Sequence, residues 1–317
     1  MALLVLFLAI VLFFVFFRKT DEFYLEKYAN ADAKFYDDYI ITSVDEGVYM
    51  LDFDGNVVKS YKGLKASWMY TYAEEGLVVY SNHDNETHLL KLDDNMDMIS
   101  DEVILTSELL AIDPTICKVE DIYLVTHTTI EGTINNPDPN GDNGIYSLEL
   151  FVSKDLKNWE HQTTITSQKQ DIEDIDMMYD GEKLYCFYEK ENYDKGPSKI
   201  CMKSSEDVGV NWSEEKILVE NDGDNELSCL IREVEGWELY YSSDKENPGN
   251  SYNGASAYVA FFDENFEKRV EYDEKIRMRD NFGIRLYEVK KIQDEVYFMF
   301  AQNYMTDKDF VLRKAEK

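Results

Sequence analysis

The sequence predicts an all-β fold, a β-propeller of four-stranded blades with an N-terminal hydrophobic helix. Three observations predict it: a strand–turn–strand unit that recurs along most of the chain, an aromatic-rich composition, and one long apolar run at the start. The unit is an apolar run, a turn carrying Asp, Glu or Gly, and a second aromatic run. It occurs as Trp68-Met69-Tyr70 before Leu77-Val78-Val79-Tyr80, and as Thr115-Ile116-Cys117 before Ile122-Tyr123-Leu124-Val125. It returns as Met177-Met178-Tyr179 before Leu184-Tyr185-Cys186-Phe187, as Leu230-Ile231-Arg232 before Leu239-Tyr240-Tyr241, and as Leu286-Tyr287-Glu288 before Val296-Tyr297-Phe298-Met299. Copies roughly 45 to 60 residues apart have the spacing of propeller blades. A third strand follows each pair, as in Leu89-Leu90-Lys91-Leu92 and Ala257-Tyr258-Val259-Ala260. Five blades are expected, with six as the alternative. The stretch from Tyr39 to Tyr61 adds Ile40-Ile41-Thr42 and Val48-Tyr49-Met50-Leu51, either as an extra blade or as ring closure.

Composition agrees with a large folded domain. The chain has 317 residues, of which 44% are hydrophobic and 14% aromatic, enough to bury a sizeable core. Its 23 tyrosines and 17 phenylalanines suit strands. Acidic residues outnumber basic ones 64 to 32, and the formal charge of −32 opposes phosphate backbones, so nucleic acid is excluded as a partner. Acidity alone does not choose between a solvated surface and a cation site. No cofactor is expected and no metal is assigned; a structural calcium is left open. His83, His88, His127 and His161 lack metal-ligand spacing. Cys117, Cys186, Cys201 and Cys229 read as buried thiols, although Cys186 and Cys201 would fall on neighbouring strands where a disulfide is conceivable.

From Ala2 to Phe17 every residue is apolar. At 1.5 Å per residue the run spans about 25 Å, near the thickness of a hydrocarbon core. Residues 1–19 therefore read as a transmembrane anchor or signal segment, residues 20–38 as a polar stalk, and residues 39–317 as the propeller. No basic residue precedes the run and no small residues end it, which favours an uncleaved anchor. The expected placement is membrane-anchored and extracytoplasmic. Arg18 and Lys19 would hold a cytoplasmic-facing orientation instead.

Two motifs carry a resemblance. Ser205-Glu206-Asp207-Val208-Gly209-Val210-Asn211-Trp212 resembles the Asp-box hairpin of sialidase-like propellers, and Ser153-Lys154-Asp155-Leu156-Lys157-Asn158-Trp159 is a shorter relative. Both read as structural turns, with Asp accepting backbone N–H bonds and Gly taking an unusual dihedral. The starts of three successive inner strands each offer an acid: Asp113 before Pro114, Asp174 or Asp176, and Glu226. This order resembles the five-bladed glycoside hydrolases that include arabinanases, β-xylosidases, invertases and levansucrases, best from about Ala111 to Ser243.

The resemblance implies Asp113 as general base, Glu226 as general acid, and Asp174 as the residue that tunes and orients the acid. Asp176 rivals Asp174, because strand alternation would point both to one face. Acetal cleavage needs such a pair, one carboxyl protonated and one ionised. Arg285, Trp68 and Trp237 are the candidate substrate contacts, Arg285 for hydrogen bonding or for pairing with a channel carboxylate and the tryptophans for stacking on sugar rings. The implied function is a membrane-anchored glycosidase acting on carbohydrate, with pentose- or fructose-containing glycans outside the cell as the substrate class. A non-catalytic propeller that binds glycans or proteins is the alternative, and a membrane-tethered cytoplasmic scaffold is another. A sialidase-like enzyme is weaker, because only Arg232, Arg279 and Arg285 could supply an arginine triad.

Overall fold

The computed structural model describes residues 22–24, 32–44, 47–82, 84–131, 144–169, 171–191, 196–293, 295–304 and 309–315. The anchor expected over residues 1–19 lies outside them. Among the described residues no helix is long and apolar enough to cross a membrane.

The strands form six four-stranded antiparallel sheets, one more blade than the sequence favoured. Blade 1 is β2 (Ala33–Tyr36), β3 (Tyr39–Val44), β4 (Gly47–Leu51) and β5 (Val57–Lys62). Blade 2 is β6 (Trp68–Tyr72), β7 (Leu77–Ser81), β8 (Glu86–Leu92) and β9 (Met98–Thr106). Blade 3 comprises β10 (Leu110–Val119), β11 (Ile122–Glu131), β12 (Ile145–Ser153) and β13 (Glu160–Lys169). Blade 4 comprises β14 (Ile172–Tyr179), β15 (Leu184–Lys190), β16 (Lys199–Ser205) and β17 (Lys216–Glu220). Blade 5 is β18 (Asn225–Glu233), β19 (Gly236–Ser243), β20 (Ser256–Phe262) and the short β21 (Glu274–Lys275). Blade 6 takes β22 (Ile284–Ile292), β23 (Glu295–Gln302) and β24 (Asp309–Lys314) from the end of the chain, and β1 (Glu22–Tyr24) from its beginning.

The extra blade has a simple origin. The segment read as either an extra blade or ring closure supplies three strands, and Ala33–Tyr36 adds the innermost one. Ring closure comes from further upstream, where Glu22 pairs with Arg313, Phe23 with Leu312 and Tyr24 with Val311. Both β1 and β2 fall inside the segment that the sequence reading assigned to a stalk. Short polar strands with no sustained alternation resemble linker until a partner strand is present.

Burial follows distance from the axis. β10 and β11 are buried almost throughout because sheets cover both of their faces, whereas β9 and β13 lie at blade edges and alternate or face solvent. Six apolar clusters hold the ring, and each joins two successive blades. The cluster between blades 3 and 4, for example, packs Leu124 and Leu148 against Met177 and Cys186. All four cysteines are buried free thiols, as expected. Cys201 pairs in register with Tyr188 rather than with Cys186, so the two thiols are not opposed.

Four inner strands carry a one-residue β-bulge. The register slips between Ile112 and Thr115 in β10, between Glu173 and Asp176 in β14, between Leu227 and Cys229 in β18, and between Leu286 and Glu288 in β22. A bulge bends the strand and re-aims side chains on one side of it. Here the bulges set what faces the channel.

Candidate active site in the central channel

Inner strands from all six blades adjoin around the axis, and a pocket there is lined by Asp32, Lys34, Trp68, Asp113, Asp174 and Arg285, among others. Asp113 and Asp174 both sit inside bulges with left-handed backbone, at φ 47° and 50°. Such φ values are uncommon outside glycine, and Asp tolerates them better than most residues. The bulge amide of Asp174 donates to Asp113 Oδ2 at 3.0 Å, tying blade 4 to blade 3.

Asp174 also meets Arg285, whose Nη2 lies 3.1 Å from Oδ1. Arg285 donates through Nη1 to the Tyr304 hydroxyl at 3.0 Å, and its guanidinium stands over the rings of Tyr252 and Tyr304 at 5.4 and 5.3 Å. A planar cation held by an ion pair and aromatic faces has one orientation. Oδ2 of Asp174 is buried and accepts no hydrogen bond. Carboxylate oxygens of Asp174, Glu189 and Glu226 lie within 4.8 Å of one another. The three sequence-predicted acids therefore converge on one side of the channel: Asp113 bonds to the backbone of Asp174, and Asp174 neighbours Glu226.

The environments of Asp113 and Glu226 push protons onto both. Burial, then the neighbouring Asp174, raises Asp113 to about 7. Burial, then Asp224 and Asp174, holds Glu226 well above the ordinary carboxylate range; Arg285 and a hydrogen bond involving Tyr252 pull the other way. One carboxyl kept protonated beside one that ionises near neutrality is the arrangement acid–base chemistry uses.

Asp176 does not rival Asp174. The bulge between them breaks the alternation that would have put both on one face. Asp176 lies in a second layer, accepting from the Tyr70 hydroxyl and from the Leu230 amide at 3.3 Å. Glu288 in that layer accepts the Phe35 amide, and Lys34 is the cation acting on both acids. Trp237 is not at the channel. It is 3% exposed in the cluster between blades 4 and 5, stacked on Phe266 with ring centroids 5.1 Å apart, so its work is packing. Trp68 does line the pocket. His127 is buried against Thr87 and Phe151 within blade 3 and its neighbour, and none of the groupings capable of holding a metal among the described residues includes a histidine.

Sequence reasoning missed Asp32, Lys34, Glu189, Glu191, Asp224, Tyr252 and Tyr304. Glu189 carried a usable signal, because Tyr185-Cys186-Phe187-Tyr188 is an apolar second strand and an acid continuing it has no solvent to face. Tyr252, on a one-turn 3-10 helix after β19, and Tyr304, just past β23, had none.

No family model matches the sequence, and no curated protein matches it. Solved structures do resemble the fold. A thermostable family-43 glycoside hydrolase aligns over 78% of this chain and 87% of its own at 12% identity and a TM-score of 0.53. An alpha-L-arabinofuranosidase from Fusarium graminearum, in complex with an iminosugar inhibitor, aligns over 79% and 92% at 12% identity and a TM-score of 0.52. A Penicillium chrysogenum alpha-L-arabinanase complexed with arabinobiose aligns over 76% and 89% at 9% identity and a TM-score of 0.52. At these identities the likeness is one of fold.

Proposed function

We propose that this protein hydrolyses glycosidic bonds at the carboxylate layer of its channel, with Glu226 as general acid, Asp113 as general base and Asp174 orienting and tuning the acid. The observation that carries the reading is the gathering of acids from three consecutive inner strands beside one caged arginine. Glu226 would donate to the leaving oxygen, and Asp113, once ionised, would take a proton from water or attack the sugar. Arg285 would bind a sugar hydroxyl through the donors that Asp174 and Tyr304 leave free, and Trp68 would offer a stacking face. The fold likeness to arabinose-processing enzymes makes arabinose-containing glycans the first substrates to try. The apolar segment from Ala2 to Phe17 would tether the domain to a membrane, extracytoplasmic in the orientation we favour.

A second reading has one observation in its favour. Asp113 already accepts a backbone amide, and Asp174 already pairs with Arg285, so the network could serve as a rigid binding floor for a glycan with no turnover. A screen on chromogenic glycosides separates the two: release from an arabinofuranoside or another glycoside supports hydrolysis. Binding to immobilised glycans with no release on any substrate establishes the binding reading.

A further inference from the structure

The bulge in β18 leaves one residue, Ser228, outside both of the apolar joints that flank the strand. Before it, Leu227 pairs with Tyr241 and packs into the cluster between blades 4 and 5. After it, Cys229 pairs with Tyr240 and packs into the cluster between blades 5 and 6. In a regular strand residues two apart share a face, so the chain turns over at Ser228. Ser228 belongs to neither joint and lines the channel pocket with Asp113, Asp174 and Arg285. The bulges of β10, β14 and β22 do the same for Asp113, Asp174 and Tyr287. Ser228 is therefore the counterpart in blade 5 of the two channel aspartates.

Its hydroxyl is unspent. Ser228 is 7% exposed, and its Oγ is buried and makes no hydrogen bond of ordinary geometry. The adjacent Cys229 thiol interacts with it, but a thiol is a weak partner, and this one is engaged with the Val289 backbone, accepting from the amide at 3.3 Å and donating to the carbonyl at 3.7 Å. A buried hydroxyl left unpaired costs free energy that an alanine would not. A partner arriving through the channel removes that cost. The chemistry of the pocket says what kind of partner. Ionised carboxylates only accept, whereas a serine hydroxyl donates as well. A ligand whose hydroxyls donate to the acids and accept from Ser228 satisfies both, and a sugar is such a ligand.

We propose that Ser228 is a substrate-binding residue of the channel, its Oγ hydrogen-bonding a hydroxyl of the sugar whose glycosidic bond the carboxylates cleave. This rests on the glycosidase reading above and sharpens it. Ser228 follows Glu226 by two residues on the same strand, at most about 7 Å along the backbone, so a sugar it holds lies next to the proposed acid. The bond is made before and during cleavage alike, and it moves no proton of the reaction, so its loss falls on KM rather than on kcat. It also sets a specificity. The sugar must present a free hydroxyl toward blade 5, and an analogue lacking that one hydroxyl is discriminated against.

The test compares the full-length wild type with Ser228→Ala in two measurements. The first needs no sugar: the urea midpoint of Ser228→Ala should equal or exceed that of wild type, because the hydroxyl it removes has no partner in the folded chain. A lowered midpoint, or a variant that does not fold, shows that Oγ serves the fold and overturns the proposal. The second uses the p-nitrophenyl glycoside that wild type cleaves best, with its monodeoxy analogues. Ser228→Ala should raise KM about five- to tenfold and change kcat less than about threefold. One monodeoxy analogue should be about five- to tenfold poorer than the parent glycoside for wild type and equal to it for Ser228→Ala, a loss of discrimination that a purely structural role does not produce. Unchanged KM in folded Ser228→Ala overturns this proposal while leaving the glycosidase reading intact. If wild type cleaves no glycoside in the panel and binds none, that reading falls and this proposal with it.

Discussion

The two layers of the channel use the same residue types to different ends. In the layer around Lys34, Asp176 takes two donors, Glu288 takes an amide from the next blade, and Asp32 likewise fills both oxygens, from the amides of Ala33 and Met69. Burial opposes the charge on Lys34, yet Asp32 and Glu288 outweigh it and raise its pKa. In the other layer Asp174 Oδ2 and Glu189 Oε2 have no donor, and carboxylates outnumber the one arginine. A satisfied layer stitches blades together. An unsatisfied one keeps its protons poised and its oxygens free, a state that costs stability and persists where a ligand or reaction uses it. The comparison teaches that an acid in a propeller channel is read by its partners, not by its place at a strand start.

The largest expected effect is on turnover. If the unsatisfied layer is the reactive one, Glu226→Gln and Asp113→Asn should each lower kcat/KM on a cleaved glycoside by about 1000-fold, equivalent to about 4 kcal/mol of transition-state stabilisation. Both proteins should retain the wild-type circular dichroism spectrum. Asp176→Asn, in the satisfied layer, should instead act mainly on stability. If Asp176→Asn loses turnover at full stability while Asp113→Asn keeps it, the layers have been assigned the wrong way round.

The second prediction turns the same contrast into a pH dependence. Asp113 has its pKa raised from 3.8 to about 7 by burial and by Asp174. The folded state therefore binds this proton more tightly than the unfolded chain does. Its contribution favours folding below pH 4 and is lost as pH rises from about 4 to about 7, by up to about 4 kcal/mol. Asp113→Asn should be more stable than wild type at pH 8, and the difference should vanish near pH 4, as read from urea midpoints at each pH. Wild-type activity should climb through pH 7 as the base ionises. A stability difference that does not change with pH would refute the raised pKa.

The third prediction concerns the satisfied layer. Lys34→Met removes the cation that Asp32, Asp176 and Glu288 share, and removal of one partner from a buried charge group typically costs about 3 kcal/mol. Glu189→Gln exchanges a buried carboxyl whose Oε2 accepts no hydrogen bond and should be neutral or stabilising. Equal losses from the two substitutions would erase the distinction between the layers.

Much of this was legible in the sequence, for physical reasons that differ by element. The inner strands of blades 2 to 6 announced themselves because each carries a short apolar or aromatic run just before a turn, as Ile116-Cys117 does in the almost wholly buried β10. Asp113, Asp174 and Glu226 were visible because an acid interrupts such a run. Blade 1 was half legible, since Ala33–Tyr36 and Glu22–Tyr24 are too short to show a period and gain identity only from the strands they pair with. The separation of Asp174 from Asp176 was hidden, because a bulge inverts the alternation from which the common face was inferred. Trp237 was misplaced for a related reason: an aromatic on a second strand faces a neighbouring blade, and only topology says which faces are covered.

The smallest expected effect lies outside both layers, at the hairpin between β16 and β17. There Asp207 accepts the Asn211 amide at 2.8 Å, Gly209 turns at φ +85°, and Trp212 Nε1 donates to the Gly209 carbonyl at 3.1 Å. Trp212 packs half-buried against the cluster that joins blades 3 and 4. Full burial of a tryptophan would make its truncation cost 3 to 5 kcal/mol, so half-burial sets the expectation for Trp212→Ala at about 2 kcal/mol. Gly209 disfavours a side chain, because its φ is strained for other residues and an added Cβ, 2.3 Å from Leu150 Cδ2, would force that leucine to move. If ring cohesion resides in the apolar joints and chemistry in the channel, Trp212→Ala should lower the urea midpoint at both pH 5 and pH 8 by the same amount. It should also leave kcat/KM of the folded protein unchanged, because the indole's hydrogen bond goes to its own hairpin and its packing to the apolar joint. A loss that grows with pH, or a fall in turnover at full folding, would show that the joint between blades 3 and 4 communicates with Asp113, and the channel could no longer be treated as separate from the ring that encloses it.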